Sequence, residues 1–158
     1  MDRHVRPAVI DSTGATVIAL VEDSRTDEAL TLRALQRIGL SNRVVVLGDG
    51  PQALEYLLRP GGPGGTPGVP HLVLLDLGLP GMDGIEVLRR LRATATTRLL
   101  PVVVLTSSDE DQRLLETYEL GVNSYIRKPV DAERFAEVVG QVGLYWLVVN
   151  AVPEGGPS

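Results

Sequence analysis

The sequence predicts a doubly wound α/β domain, in which a five-stranded parallel sheet carries helices on both faces. Three observations predict it: five short, nearly continuous apolar runs, a helical stretch after each of them, and turn or capping residues at the junctions. A strand covered on one face alternates apolar and polar residues. A strand covered on both faces reads as an unbroken apolar run, and that is the pattern here.

Thr16 to Val21 (TVIALV) is the first such run. Ser24, with Asp27 three residues on, makes a capping-box signature, and Leu30, Ala34, Leu35 and Ile38 recur at helical spacing until Gly39 offers a stop. Arg43 to Leu47 is the second strand, and Asp49-Gly50-Pro51 opens a helix with proline in its first turn, running to about Leu58. Residues 60–70 (PGGPGGTPGVP) cannot continue as helix or central strand and are read as a loop. They contain neither GxGxxG nor GxxxxGK[ST] and follow a helix rather than a strand, so a phosphate-binding loop is not indicated.

Three more couplets follow: Leu72 to Asp76 with Gly84 to Arg92, Val102 to Leu105 with Asp109 to Leu120, and Ser124 to Ile126 with Asp131 to about Asn150. Strict alternation requires right-handed crossovers, and for five units the flavodoxin-like strand order 2-1-3-4-5 is the commonest solution. Residues 1–15 are expected to be a flexible lead-in, 16–150 the domain with its Gly/Pro loop and an extended last helix, and 151–158 a flexible tail with no attached output domain.

Composition narrows the function classes. The chain has 158 residues, 44% of them apolar, enough for one core. A net charge of −5, with 15 Lys and Arg spread along the chain, argues against nucleic acid as a partner. The absence of cysteine and the presence of only His4 and His71 exclude disulfides and thiolate or histidine-rich metal sites. No run has the length of a signal-peptide core or a membrane span, so a soluble, cytoplasmic protein is expected.

In such a sheet ligands bind at the carboxyl ends of the strands, beside the point where strand order reverses. There the first strand delivers Glu22 and Asp23, the third Asp76, the fourth Thr106, and the fifth, just past its end, Lys128 and Pro129. Each has an ordinary alternative, since acids and hydroxyls often cap helices and a lone lysine is usually solvated. Their coincidence on one edge carries the argument. Clustered carboxylates repel and call for a cation. All-oxygen ligation selects a hard one, and Mg²⁺ reserves positions for phosphate oxygens, so the site suits phosphoryl transfer to a carboxylate. The residues leave the nucleophile open among the carboxylates. Asp76 is favoured because it ends the central strand and is followed by Gly78, whose carbonyl can face the ion.

The segments ALVEDS, LVLLDLGLPGMDGIEVLRRLR, PVVVLTSS and SYIRKPVD, in this order, resemble the receiver domains of two-component response regulators, the CheY-like family, over roughly Thr16 to Val139. The resemblance implies a phosphoacceptor at Asp76. It also implies Mg²⁺ or Mn²⁺ held by Asp23, Asp76 and the Gly78 carbonyl, with Glu22 acting mainly through water. Thr106 becomes the hydroxyl that moves to the phosphoryl group, Tyr125 the coupled aromatic, Lys128 a phosphoryl ligand, and Pro129 the residue after a cis peptide bond. For Tyr125 the alternative is an ordinary half-buried strand residue. The partner implied is a sensor histidine kinase, and the chemistry is limited to the protein's own aspartyl phosphorylation and dephosphorylation.

Two features depart from the minimal pattern: Gly78 stands where many relatives carry a larger side chain, and the Gly/Pro loop is long. That loop, with Tyr145-Trp146 near the end, is similar to the single-domain regulators paired with phytochrome-type kinases, which implies a bacteriophytochrome partner. Along the last helix Phe135, Val138, Val139, Val142, Tyr145 or Trp146, and Val149 form a core stripe. Leu144, Trp146, Leu147 and Val148 are candidates for a homodimer interface near the fourth and fifth strands; the alternative is that this extension folds back on its own domain. Two rivals remain: a haloacid-dehalogenase-like phosphohydrolase, which expects an acid where Gly78 stands, and a receiver-like adaptor that never uses phosphate.

Overall fold

The computed structural model describes residues 5–7, 18–40, 44–59, 70–107 and 116–144, with the side chains of 5–7 excepted. Its elements in chain order are β1 (Val5–Pro7), β2 (Ile18–Val21), α1 (Arg25–Gln36), β3 (Val44–Leu47), α2 (Gly50–Leu57), β4 (Leu72–Asp76), α3 (Gly84–Ala93), β5 (Val102–Thr106), β6 (Ser124–Arg127) and α4 (Ala132–Gln141). The sheet order is β1-β3-β2-β4-β5-β6. The five strands from β2 to β6 are parallel and reproduce the expected order 2-1-3-4-5.

The apolar runs are unbroken because both faces are covered. Ala19, Val21, Val45, Leu47, Val73, Leu75, Val102 and Val104 pack under α2 and α3. Their alternates Ile18, Leu20, Val44, Val46, Leu72, Leu74, Val103 and Leu105 pack under α1 and α4. The period of two along each strand sends successive residues to opposite layers. The four described helices start at the caps their sequences offer: Ser24, Asp49, Asp83 and Asp131 each accept a backbone N–H three residues on.

Three expectations need correction. Val5–Pro7, placed in a flexible lead-in, is an edge strand running antiparallel to β3. The last helix ends at Gln141 rather than near Asn150. Gly143 adopts φ +84°, and the Leu144 N–H donates to the Val139 carbonyl at 2.7 Å, a left-handed glycine stop that the apolar stripe had masked. Leu144, offered as a dimer contact, is half-buried against the core of its own domain. The Gly/Pro loop lies outside the described residues except for Pro70, as do residues 109–115 of the helix expected over Asp109 to Leu120; 116–119 are helical. No helix among the described residues is long and apolar enough to cross a membrane.

Candidate functional site

Parallel strands share a direction, so their carboxyl ends must meet at one edge. β2 runs into Glu22 and Asp23, β4 ends on Asp76, β5 on Thr106, and β6 leads to Lys128-Pro129, joined by a cis peptide bond as expected. The pairing of β2 with β4, β4 with β5 and β5 with β6 makes these ends neighbours.

Glu22, Asp23 and Asp76 each bring a carboxylate oxygen within 4.8 Å of the others. Glu22 and Asp76 are buried, at 2% and 4% exposure, while Asp23 is exposed. One Asp76 oxygen, Oδ1, accepts the Gly78 N–H at 3.0 Å and lies 3.1 Å from the Lys128 ammonium. Glu22 Oε2 accepts the Ser24 N–H at 3.3 Å. Its Oε1 is buried with no hydrogen-bond partner, although Lys128 Nζ stands 3.2 Å away, close enough for attraction but not aligned for a bond.

Charges in this crevice are poorly compensated. Burial, and then the nearby Asp76 carboxylate, push the Glu22 carboxyl up to about 8. Burial also works against the Lys128 ammonium, but a hydrogen bond to Asp27 and the charges of Glu22 and Asp76 outweigh it and hold Lys128 above the usual lysine range. One ammonium meets three acids, Asp27, Asp76 and Glu22, and Asp23 stands beside the last two. Oxygen-only donors, two of them buried, with one buried oxygen lacking a hydrogen-bond partner and an exposed acid at the mouth, fit a hard divalent cation.

Thr106 is fully buried, and its hydroxyl donates to the Ser107 carbonyl at 3.0 Å. Lys128 is tied to the same strand end, its N–H donating to the Thr106 carbonyl at 2.8 Å. Tyr125 pairs with Val104, two residues before Thr106 and therefore on the same face, and is half-buried against the layer under α2 and α3. Trp146, Leu147 and Val148 lie outside the described residues.

Two residues escaped the sequence reading. Asp27 was taken for half of a capping box, yet its carboxylate meets Lys128 Nζ at 2.9 Å. No local signal distinguishes the two uses. Arg92 carried no signal beyond its place at the end of a helix, yet its guanidinium donates to the carbonyls of Leu120 (2.9 Å), Thr97 (3.2 Å) and Gly121 (2.9 Å), pinning the loops on either side of β5 to the end of α3.

Comparison with known proteins agrees with this geometry. The response regulator receiver domain family matches residues 18–140. The probable methanogenesis regulatory protein FilR2 of Methanothrix harundinacea (strain 6Ac) is 40% identical over 151 residues, covering 95% of this chain and 94% of that protein. Response regulator Rcp1 of Synechocystis sp. (strain ATCC 27184 / PCC 6803 / Kazusa) is 34% identical over 143 residues, covering 90% and 97%. Its solved Mn²⁺-bound form superposes with a TM-score of 0.66 at 34% identity, covering 88% of this chain and 99% of that one. The structure of the bacteriophytochrome response regulator RtBRR gives a TM-score of 0.76 at 46% identity, covering 89% and 86%.

Proposed function

This chain belongs to the response regulator receiver domain family, and on that premise we propose that Asp76 is its phosphoacceptor, with a sensor histidine kinase as donor. The observation that carries the assignment is the setting of the Asp76 carboxylate: it ends the central strand, held between the Gly78 N–H and the Lys128 ammonium, with Glu22 and Asp23 beside it.

Asp23, Asp76 and the Gly78 carbonyl are the residues that would hold Mg²⁺ or Mn²⁺, with Glu22 acting through water; the bound ion offsets the charge of the acids and of the phosphoryl oxygens. The Asp76 carboxylate attacks phosphorus in line. Its new O–P bond forms as the N–P bond to the kinase histidine breaks, and the electron pair returns to the imidazole. Lys128 offers its ammonium to a phosphoryl oxygen.

The product carries about −1.5 to −2 charges and three acceptor oxygens. Thr106 exchanges its bond to the Ser107 carbonyl for one to the phosphoryl group, and Tyr125, on the same face, follows inward. Shifting a population from 1:99 to 99:1 needs about 5.5 kcal/mol of difference between the states, which a few charge-assisted hydrogen bonds supply. Phosphorylation thus changes the surface near β5 and β6, and the output is a protein contact rather than turnover.

Likeness to RtBRR supports a kinase of the bacteriophytochrome type and hence a cytoplasmic phosphorelay. A symmetric homodimer is proposed through Trp146, Leu147 and Val148 and the surface near β5 and β6, on the apolar composition YWLVV of residues 145–149. A monomer in sedimentation at micromolar concentration, with and without phosphorylation, would remove it. Residues 16–150 are proposed as the folded receiver unit, with the Val5–Pro7 strand added along its edge.

Intact mass after incubation with Mg²⁺ and acetyl phosphate tests the phosphoacceptor. The wild type should gain one phosphoryl group, and neither Asp76→Asn nor the EDTA-treated protein should gain any. Labelling of Asp76→Asn would overturn the assignment.

A further inference from the structure

An ammonium has three protons to donate, and that of Lys128 already faces three carboxylates: Asp27 at 2.9 Å, Asp76 at 3.1 Å and Glu22 at 3.2 Å. A phosphoryl oxygen that recruits Lys128 therefore has to compete with these acids for the ammonium. The contact to Asp76 is given up when that carboxylate is phosphorylated, and Glu22 is sealed inside, its side chain 0% exposed and unable to follow the ammonium. That leaves Asp27, at the shortest distance and the most open of the three, with its side chain 34% exposed.

The local structure explains why Asp27 is available. It occupies the third position of α1, where an acid usually reaches back to the N–H of the capping residue. Here that N–H, on Ser24, donates to Glu22 Oε2 instead. The other half of the cap is kept, because the Asp27 N–H donates to Ser24 Oγ at 3.1 Å. Asp27 is thus anchored through its backbone while its carboxylate is free to cross to a lysine 101 residues away in sequence.

We propose that Asp27 is a positioning residue that tethers Lys128 in the resting state, so that a phosphoryl group on Asp76 has to compete with Asp27 for the ammonium. This rests on the reading of Asp76 as phosphoacceptor and of Lys128 as phosphoryl ligand. Removing the charge of Asp27 both releases Lys128 and lowers the repulsion felt by an incoming anion. Asp27 therefore opposes the phosphorylated state, which a helix cap would not do, and it does so by holding Lys128, which a solvated surface acid would not do.

The test uses beryllium fluoride as a phosphoryl stand-in at saturating Mg²⁺, titrated by calorimetry into the full-length protein and into Asp27→Asn. One charge-assisted hydrogen bond is worth about tenfold in affinity, so Asp27→Asn should bind about tenfold more tightly. A purely structural role would weaken binding. The side-chain ¹⁵N–¹H signal of Lys128, recorded without the analogue, reports the tether directly: it should be protected from water exchange in the wild type and broadened in Asp27→Asn. Equal or weaker binding by Asp27→Asn, or a Lys128 signal unchanged by the substitution, overturns the inference. Failure of the wild type to bind the analogue at all would instead count against the reading of Asp76 on which it rests.

Discussion

Gly84 opens α3 directly beneath the phosphoacceptor strand, and Gly84→Ala puts the packing there to a quantitative test. A Cβ at this position would lie 2.5 Å from the Asp76 carbonyl oxygen and 2.9 Å from Leu77 Cα, both backbone atoms. To restore ordinary contact near 3.4 Å the two segments would have to separate by roughly 1 Å, since packed interiors leave no slack. The strand cannot give easily: Asp76 pairs with Leu105, and the Leu77 N–H donates to the Leu105 carbonyl at 3.1 Å. Overpacking costs about 1–3 kcal/mol. Alanine returns at most about 1 kcal/mol over glycine in a helix interior, and less at a helix start. The net expectation is a loss of about 2 kcal/mol, read from urea unfolding midpoints at constant m value. Because the displaced atoms carry the Asp76 carboxylate, Mg²⁺ binding should weaken as well. Gly81 is the contrast: nothing lies within 4 Å of its added Cβ, but its φ of +71° costs an ordinary residue about 1–2 kcal/mol. Asn, which tolerates that conformation, should therefore be milder than Ala at 81 and worse than Ala at 84. A Gly84→Ala protein as stable as the wild type would refute the reasoning.

Arg92→Met should destabilise the fold by about 2 kcal/mol by removing three donors from the carbonyls of Thr97, Leu120 and Gly121, with Arg92→Lys recovering only part because one nitrogen replaces a planar fork; chemical denaturation of the three proteins checks the order. In metal-free buffer, stability should fall as pH rises from about 4.5 to about 8 and level off above, because the folded state retains a proton on Glu22 that the unfolded chain has released. The span is on the order of 3–5 kcal/mol, and the difference between wild type and Glu22→Gln in unfolding experiments across that range isolates it; parallel profiles for the two would count against the poorly compensated crevice.

The sheet and most of its helices were legible because their signals are local. Ser24, Asp49, Asp83 and Asp131 cap the helices as Ser and Asp do in any fold. Unbroken apolar runs announced strands covered on both sides, and from strict alternation the common carboxyl edge followed, with Glu22, Asp23, Asp76, Thr106 and Lys128 on it. The end of α4 was legible too, in Gly143, but an apolar stripe continuing past it argued the other way, and backbone geometry at the glycine decided. The Val5–Pro7 strand had no readable pattern: three residues cannot display a period, and their pairing depends on an edge contributed by β3.

The sequence by itself therefore determined the parallel sheet, its order and the roster of groups at its edge, since periodicity and capping act within a few residues and topology follows from alternation. Tertiary structure alone decided what those groups do to one another. It decided that burial beside Asp76 lifts the Glu22 carboxyl, that Arg92 serves loops rather than solvent, and that Asp27 serves Lys128 instead of its own helix cap. Coulomb forces and desolvation depend on distance through space and on the exclusion of water, and neither is encoded in any short stretch of chain.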